Sequence, residues 1–136
     1  MKNSSSPRWL DRAILISPVY FILCTTPKGY RSACKHLKLS KRSRGKFLTS
    51  PYASATTHFF ELPSEGKSSA VVCIRAGDFS DHQINALLVH EAIHIWQRIR
   101  DILGEKSPGH ESEAYAVQNI SQCLMQEYDR QRSASS

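Results

Sequence analysis

Cysteine pairs, internal repeats and membrane-length apolar runs are all missing from this chain of 136 residues. The four cysteines stand at positions 24, 34, 73 and 123 and never form a CxxC pair, which excludes a zinc knuckle and a dithiol redox motif. Free thiols, buried in a protein of a reducing compartment, are the expected state. No segment is apolar for long enough to span a bilayer, so no membrane partner is predicted.

The apolar stretch at residues 13–24 matches neither a signal sequence nor a membrane span. It contains Pro18, follows Asp11 and lacks a small-x-small cleavage site. Its content of Ile, Val, Tyr and Phe predicts a buried strand over residues 14–24. We therefore expect a cytoplasmic protein.

Length and composition predict a single domain over residues 1–136. Hydrophobic residues make up 40% of the chain and supply one modest core, while the polar ends, residues 1–7 and 131–136, are expected to be frayed. The formal charge is +6, and residues 35–46 form a dense basic cluster. Such a cluster is usually a solvated loop, and this one has neither interleaved aromatic residues nor a recognisable nucleic-acid-binding module. Association with nucleic acid stays open as an alternative.

Strand-like and helix-like segments together predict an α+β fold. Residues 27–39 have apolar side chains at helical spacing and predict a short amphipathic helix, after which a basic loop continues to about residue 51. Residues 55–62 and 69–76 are rich in β-branched and aromatic residues and predict two neighbouring strands joined by the turn PSEGK. His58, inside the first of these strands, is interpreted as a strand-face histidine.

The clearest element is a helix over residues 81–103. Ser80 followed by Gln83 is a capping-box pattern, and Gly104 stands where a helix should end. Between Ile84 and Trp96 the helix is apolar on nearly every face, which predicts that it is buried.

Within this helix the stretch VHEAIHIWQ contains two histidines four residues apart. A helical turn places His90 and His94 about 40° apart on one face, where both imidazoles can bind one tetrahedral Zn²⁺. Glu91 lies about 100° from His90, beside the metal, where it can take a proton from a bound water. A lone histidine would indicate a core residue, whereas this HExxH pattern predicts a zinc site.

Two histidines leave the zinc short of protein ligands, and the candidates beyond Gly104 are His110, Glu111 and Glu113. In a helix opened by Ser107 and Pro108, Glu113 occupies the centre of an apolar stripe that also contains Val117, Ile120 and Leu124. A carboxylate in a buried stripe requires a compensating partner, which the zinc would supply. Glu113 is therefore the predicted third ligand. An ion pair of Glu113 with a buried Arg or Lys, or His110 as the ligand, remain the alternatives.

A long helix carrying HEAIH, preceded by SAVVCIRA and followed about twenty residues later by ESEAYAVQ, resembles the zincin metallopeptidases that use a glutamate ligand. The chain is similar in particular to small zincin-like proteins of phages and bacteria, over residues 55–125. The resemblance implies a minimal zincin-like α+β domain, with a short mixed sheet packed on the HExxH helix and a C-terminal helix carrying the third ligand. It also implies that the strand before the metal helix is an edge strand that pairs with an extended peptide, which places substrate binding on Val71, Val72, Cys73, Ile74 and Arg75.

The function expected from this resemblance is zinc-dependent hydrolysis of a peptide or protein, with Glu91 as the general base on a zinc-bound water. His110 is the expected oxyanion donor and catalytic residue, ahead of Tyr52 and Tyr115, and Gln97 is placed to hydrogen-bond a histidine ligand. Two alternatives remain open. One is a zinc-binding protein without turnover, and the other is a nucleic-acid-associated protein that uses the basic cluster.

Overall fold

The computed structural model describes residues 6–10, 18–62, 67–75, 77 and 79–135. The elements in this part of the chain are β1 (Val19–Cys24), α1 (Pro27–His36), β2 (Ala55–Leu62), β3 (Lys67–Ile74), α2 (Asp81–Leu103) and α3 (His110–Ser135). A three-stranded mixed sheet with helices confirms the predicted α+β class. Residues 1–5 of the expected N-terminal tail, residues 14–17 of the first predicted strand, residues 63–66 of the predicted turn and position 76 lie outside the described residues.

The sheet has the order β1-β3-β2, with β1 parallel and β2 antiparallel to the central strand β3. The expectation that the strand before the HExxH helix lies at an edge is wrong, because β3 is hydrogen-bonded on both sides. The side chains of Val71, Val72, Cys73 and Ile74 are fully buried, and Arg75 follows the strand, so these residues do not form an open edge. A continuous apolar run is typical of a strand buried on both faces, which explains the central position. The edge strands are β1 and β2, and β2 is hydrogen-bonded to α2 through Thr57.

Each face of the sheet is covered by helices. On one face, Ala70, Val72 and Ile74 of β3 pack with residues of α2 and α3 in the larger core cluster. On the other face, Val71 and Cys73 pack with Tyr30, Ala33 and Cys34 of α1. The alternation of side chains along β3 thus divides the apolar residues between two layers.

Cys24, Cys34 and Cys73 are free thiols, as predicted, and all three are buried on the α1 side of the sheet. Cys24 and Cys73 are register partners in the parallel pair of strands, and Cys34 of α1 packs with them. Burial raises the pKa of the Cys34 and Cys73 thiols above the ordinary value. These thiols therefore remain protonated and behave as small apolar side chains.

Helix α2 has the predicted bounds and the predicted caps. Ser80 accepts from the Gln83 backbone N–H, the Gln83 side chain accepts from the Ser80 N–H, and Gly104 ends the helix with a left-handed φ of 71°. The expectation that α2 is buried on nearly every face is wrong. Its buried residues form one side of the helix, whereas Asn85, Ile93 and both histidines are exposed. The sheet and α3 cover two sides of α2 and leave a third side open to solvent.

The C-terminal half of α3 is anchored by a buried carboxylate. The Glu127 side chain is fully buried and accepts from Arg8 Nε at 3.0 Å, Arg130 Nε at 2.8 Å and Gln131 Nε2 at 2.9 Å. Burial alone would raise the pKa of Glu127, but the hydrogen bonds from Arg130 and Gln131 and the two positive charges outweigh it and lower that pKa. Gln131 also donates to the Leu23 carbonyl of β1 at 2.9 Å. The expected frayed tail from residue 131 is therefore wrong up to Ser135, where the helix ends.

No helix of the described segments is both long enough and apolar enough to cross a membrane.

Candidate metal site

The two histidines of the HExxH stretch point their Nε2 atoms at each other. His90 Nε2 and His94 Nε2 are 3.2 Å apart, and their ring centroids are separated by 4.9 Å. Two nitrogens bound to one tetrahedral zinc at roughly 2.0–2.1 Å would be about 3.3 Å apart. The observed spacing is close to this value, so both imidazoles present ligand atoms to one point. Because both side chains are exposed, that point is open to solvent.

The orientation of His94 is supported by Gln97, one turn further along α2. Gln97 Oε1 lies 3.3 Å from His94 Nδ1. When Nδ1 carries the proton and donates it to this amide oxygen, Nε2 keeps its lone pair free for a metal ion. The predicted hydrogen bond between Gln97 and a histidine of the HExxH stretch is thus confirmed, whereas metal binding by that histidine stays a prediction.

Glu91 faces the sheet rather than solvent. Its side chain is buried, and Thr57 Oγ1 of β2 donates a short hydrogen bond to Glu91 Oε2. Sequence reasoning missed Thr57. The signal was its place in β2, since alternation puts it on the same face as Ala55 and Phe59, where a polar side chain must find a partner on α2.

Glu113 is engaged by residues other than the histidines. Trp96 Nε1 donates to Glu113 Oε2 at 2.8 Å, and Arg100 Nη1 lies 3.7 Å from the same oxygen. The Glu113 side chain is 40% exposed, not fully buried. Around the α2 axis, Trp96 and Arg100 lie about 80° to 120° from His90, on the side away from Glu91. The structure thus pairs Glu113 with an arginine, the alternative raised from the sequence, although Arg100 is only half-buried.

A complete ligand set is not formed in the part of the chain that the structure describes. No group of three or more His, Cys, Asp or Glu side chains there is arranged to hold a metal ion. The histidine pair is brought together, whereas Glu113 remains on the neighbouring side of α2. The third ligand therefore stays a prediction.

His110 is the first residue of α3 and is exposed. It lines an open, mostly apolar groove of about 840 Å³, together with Val89 of α2 and Glu113. Tyr115 is 60% exposed on α3, and Tyr52 is 94% exposed in the turn before β2. The proposed oxyanion role of His110, like the weaker candidacy of the two tyrosines, stays a prediction.

Comparison with protein-family models, with curated proteins and with solved structures gives no match for this chain. The resemblance to zincins is therefore a prediction that rests on the HExxH stretch and the elements around it. What the structure adds is the convergence of His90 and His94 on a solvent-facing side of α2, and the hydrogen bond that joins Glu91 to the edge strand.

Proposed function

We propose that this chain is a zinc-dependent peptide hydrolase in which His90 and His94 hold the metal ion and Glu91 is the general base. The observation that carries the proposal is the 3.2 Å separation of the two exposed Nε2 atoms, which suits a shared tetrahedral ion. The same 3.2 Å is also a hydrogen-bond distance, so in the metal-free protein one imidazole N–H can donate to the other, and zinc would replace that proton. A zinc ion held there would supply Lewis acidity, which would lower the pKa of a bound water and polarise a carbonyl oxygen.

The donor set fits zinc in part. Imidazole nitrogens are common zinc ligands, and Gln97 fixes the orientation of one of them. For Glu113 to be the third ligand, its carboxylate must give up the Trp96 N–H and the nearby Arg100 guanidinium. The proposal therefore requires the Glu113 side chain of α3 to exchange its contacts with Trp96 and Arg100 for a bond to the zinc ion.

The proposed role of Glu91 rests on its place in the HExxH stretch, directly after His90 in the sequence. The Thr57 hydroxyl occupies Oε2 and holds the carboxylate in one orientation. In the proposed reaction Oε1 takes a proton from the attacking water and delivers it to the leaving amine, which requires the buried carboxylate to reach a water at the histidine pair. Thr57 is thus a positioning residue for the general base.

A peptide substrate is supported by the edge strand. Sheet order leaves the outer side of β2 without a partner strand among the described residues, and β2 contacts α2 at Glu91 through Thr57. An extended peptide can add to such an edge through main-chain hydrogen bonds. The substrate-binding role that the sequence assigned to β3 therefore passes to β2.

A second candidate is a zinc-binding protein without turnover. The observation that favours it is the engagement of Glu113 by Trp96 and Arg100, which leaves two protein ligands at the site among the residues that the structure describes. Such a site would bind zinc more weakly than one with three protein ligands.

The test combines zinc content with cleavage of an unfolded protein, such as labelled casein, by the full chain. We expect one zinc per chain, cleavage that a chelator stops and added zinc restores, and no cleavage by Glu91→Gln at unchanged zinc content. Glutamine keeps the shape and can still accept from Thr57, but it cannot act as a base. Glu111→Gln, an exposed change on α3, is the matched control and should cleave normally. Bound zinc without cleavage of any substrate would favour the second candidate, and absence of zinc binding would refute both.

A further inference from the structure

The side of the molecule formed by α1 and the segment after it carries charge of one sign. No aspartate or glutamate occurs between Asp11 and Glu61. The exposed lysines and arginines of this side are here called the basic face and comprise Lys28, Arg31, Lys35, Lys38, Lys41, Arg42 and Lys46. None of the ion pairs in the described residues involves a member of the basic face, because all of them use arginines of other segments. These charges are therefore not neutralised within the part of the protein that the structure describes.

The segment that carries the basic face is held on the sheet and is not a loose loop. Tyr30 Oη donates to the Gly45 carbonyl at 2.8 Å, and His58 Nε2 lies 3.1 Å from the Phe47 carbonyl. The Tyr30 and His58 rings pack together with centroids 4.9 Å apart. Burial, with a hydrogen bond to Cys34, raises the pKa of Tyr30 and keeps the phenol protonated as a donor. A fixed surface loses less conformational entropy when it binds a partner.

An aromatic ring stands beside the basic face. Arg75 donates to the carbonyls of Pro51 and Ala53, at 2.5 and 3.0 Å, and so holds the backbone on both sides of Tyr52. The Tyr52 ring itself is 94% exposed, so it contributes almost nothing to the core. Next to it lies a small cleft of about 290 Å³ that Lys46, Pro51 and Arg75 help to line. The cleft thus connects Lys46 of the basic face with Pro51, the residue before the exposed Tyr52.

From this arrangement we infer that the basic face binds single-stranded nucleic acid, with the lysines and arginines on the phosphates and Tyr52 stacked on an unpaired base. Cationic grooves combined with exposed aromatic rings bind single strands with little dependence on sequence. A membrane surface fits less well, because the apolar residues of α1, including Tyr30, Ala33 and Cys34, are buried against the sheet and cannot enter a bilayer. An acidic polypeptide would use the charges but gives Tyr52 no base on which to stack.

This inference does not rest on the proposed hydrolase. Helix α1 covers one face of the sheet, whereas α2 with its histidine pair covers the other. A nucleic-acid strand on the basic face therefore leaves the HExxH side of the molecule accessible, and each site can be tested with the other one disabled.

The experiment is a titration of the full chain against a labelled single-stranded DNA of about 20 nucleotides, followed by fluorescence anisotropy. We expect an affinity that falls as NaCl rises from about 50 to about 200 mM, since bound cations release counterions from the strand. Lys41→Gln/Lys46→Gln removes two phosphate contacts and should weaken binding about tenfold while reducing the slope of log affinity against log salt by about 1.4. Lys106→Gln/Arg132→Gln lowers the net charge equally, lies outside the basic face and should bind like the wild type.

Stacking of Tyr52 on a base is tested with two further variants. Tyr52→Ala should weaken binding by about fivefold or more and leave the salt slope unchanged, because stacking does not release counterions. Tyr52→Phe keeps the ring and should bind like the wild type. The inference is overturned if the DNA does not bind at low salt, or if the control pair weakens binding as much as Lys41→Gln/Lys46→Gln. It is also overturned if vesicles of anionic lipid or polyglutamate bind more tightly than the DNA. Unchanged melting temperatures of the variants exclude a folding defect.

Discussion

Replacing Trp96 by Phe separates the two roles that Glu113 can have. The change removes the indole N–H that donates to Glu113 at 2.8 Å and keeps an aromatic ring in the core. If Glu113 is the third zinc ligand, its carboxylate must leave Trp96 before it binds the ion, and the free energy of that hydrogen bond opposes zinc binding. We therefore predict that Trp96→Phe binds zinc more tightly than the wild type.

The size of the effect follows from the geometry around the carboxylate. A hydrogen bond to a charged group stabilises by about 1.5–3 kcal/mol. The Glu113 side chain is 40% exposed and Arg100 remains nearby, so solvent screening should reduce the value to or below the lower end of that range, about 1–1.5 kcal/mol. This corresponds to zinc affinity about 5- to 12-fold higher. The smaller ring should also lower the free energy of unfolding by about 1–2 kcal/mol, but in the metal-free and zinc-bound protein alike, so this packing loss cancels from the zinc affinity.

The assay is zinc titration in competition with a chromophoric chelator, for the wild type, Trp96→Phe, Glu113→Ala and the double variant. Glu113→Ala should lose most of the zinc affinity, and in that background Trp96→Phe should have no further effect, since no carboxylate is left to release. Unchanged or weaker zinc binding by Trp96→Phe would refute the assignment of Glu113. In that case the ion pair with Arg100 and the Trp96 bond would be its whole role.

Three further predictions concern the site and its support. His90→Ala and His94→Ala should change the free energy of unfolding of the metal-free protein by less than about 0.5 kcal/mol, because both side chains are exposed, yet abolish any rise in melting temperature on adding zinc; a rise that persists would exclude them as ligands. Thr57→Val should lower the free energy of unfolding by about 1–3 kcal/mol and reduce kcat at unchanged zinc affinity, as it removes the hydroxyl donor from the buried Glu91 carboxylate; normal turnover would show that this bond does not position the base. Glu127→Ala should cost about 3–5 kcal/mol in chemical denaturation, because it leaves buried donors and charges without their acceptor. Since the pKa of Glu127 is lowered in the folded protein, this stabilisation is present above about pH 4 and is lost as the pH falls through the folded value; a variant that loses stability in parallel with the wild type on acidification would contradict this account.

The bounds of α2 and the spacing of its histidines were determined by the sequence alone. Ser80 with Gln83, and Gly104 at the other end, satisfy backbone groups of the helix within a few residues of themselves. The angle between His90 and His94 depends only on the helical repeat. The sequence likewise predicted the Gln97 contact, one turn away. Features of this kind are local, so no distant segment has to be known.

Which element packs against the apolar side of each strand or helix was decided only by the tertiary structure. An apolar run in the sequence indicates that β3 is buried but does not say which strands flank it, and the structure places it at the centre of the sheet. Helical periodicity predicted the side of α3 that carries Glu113, but not that α3 would pack against Trp96 and Arg100 of α2. Thr57 meets Glu91, and Arg75 presents Tyr52 beside the basic face, only after segments distant in sequence have been folded together. Periodicity determines which side of an element is apolar, whereas the identity of what covers that side is decided by the packing of the whole chain.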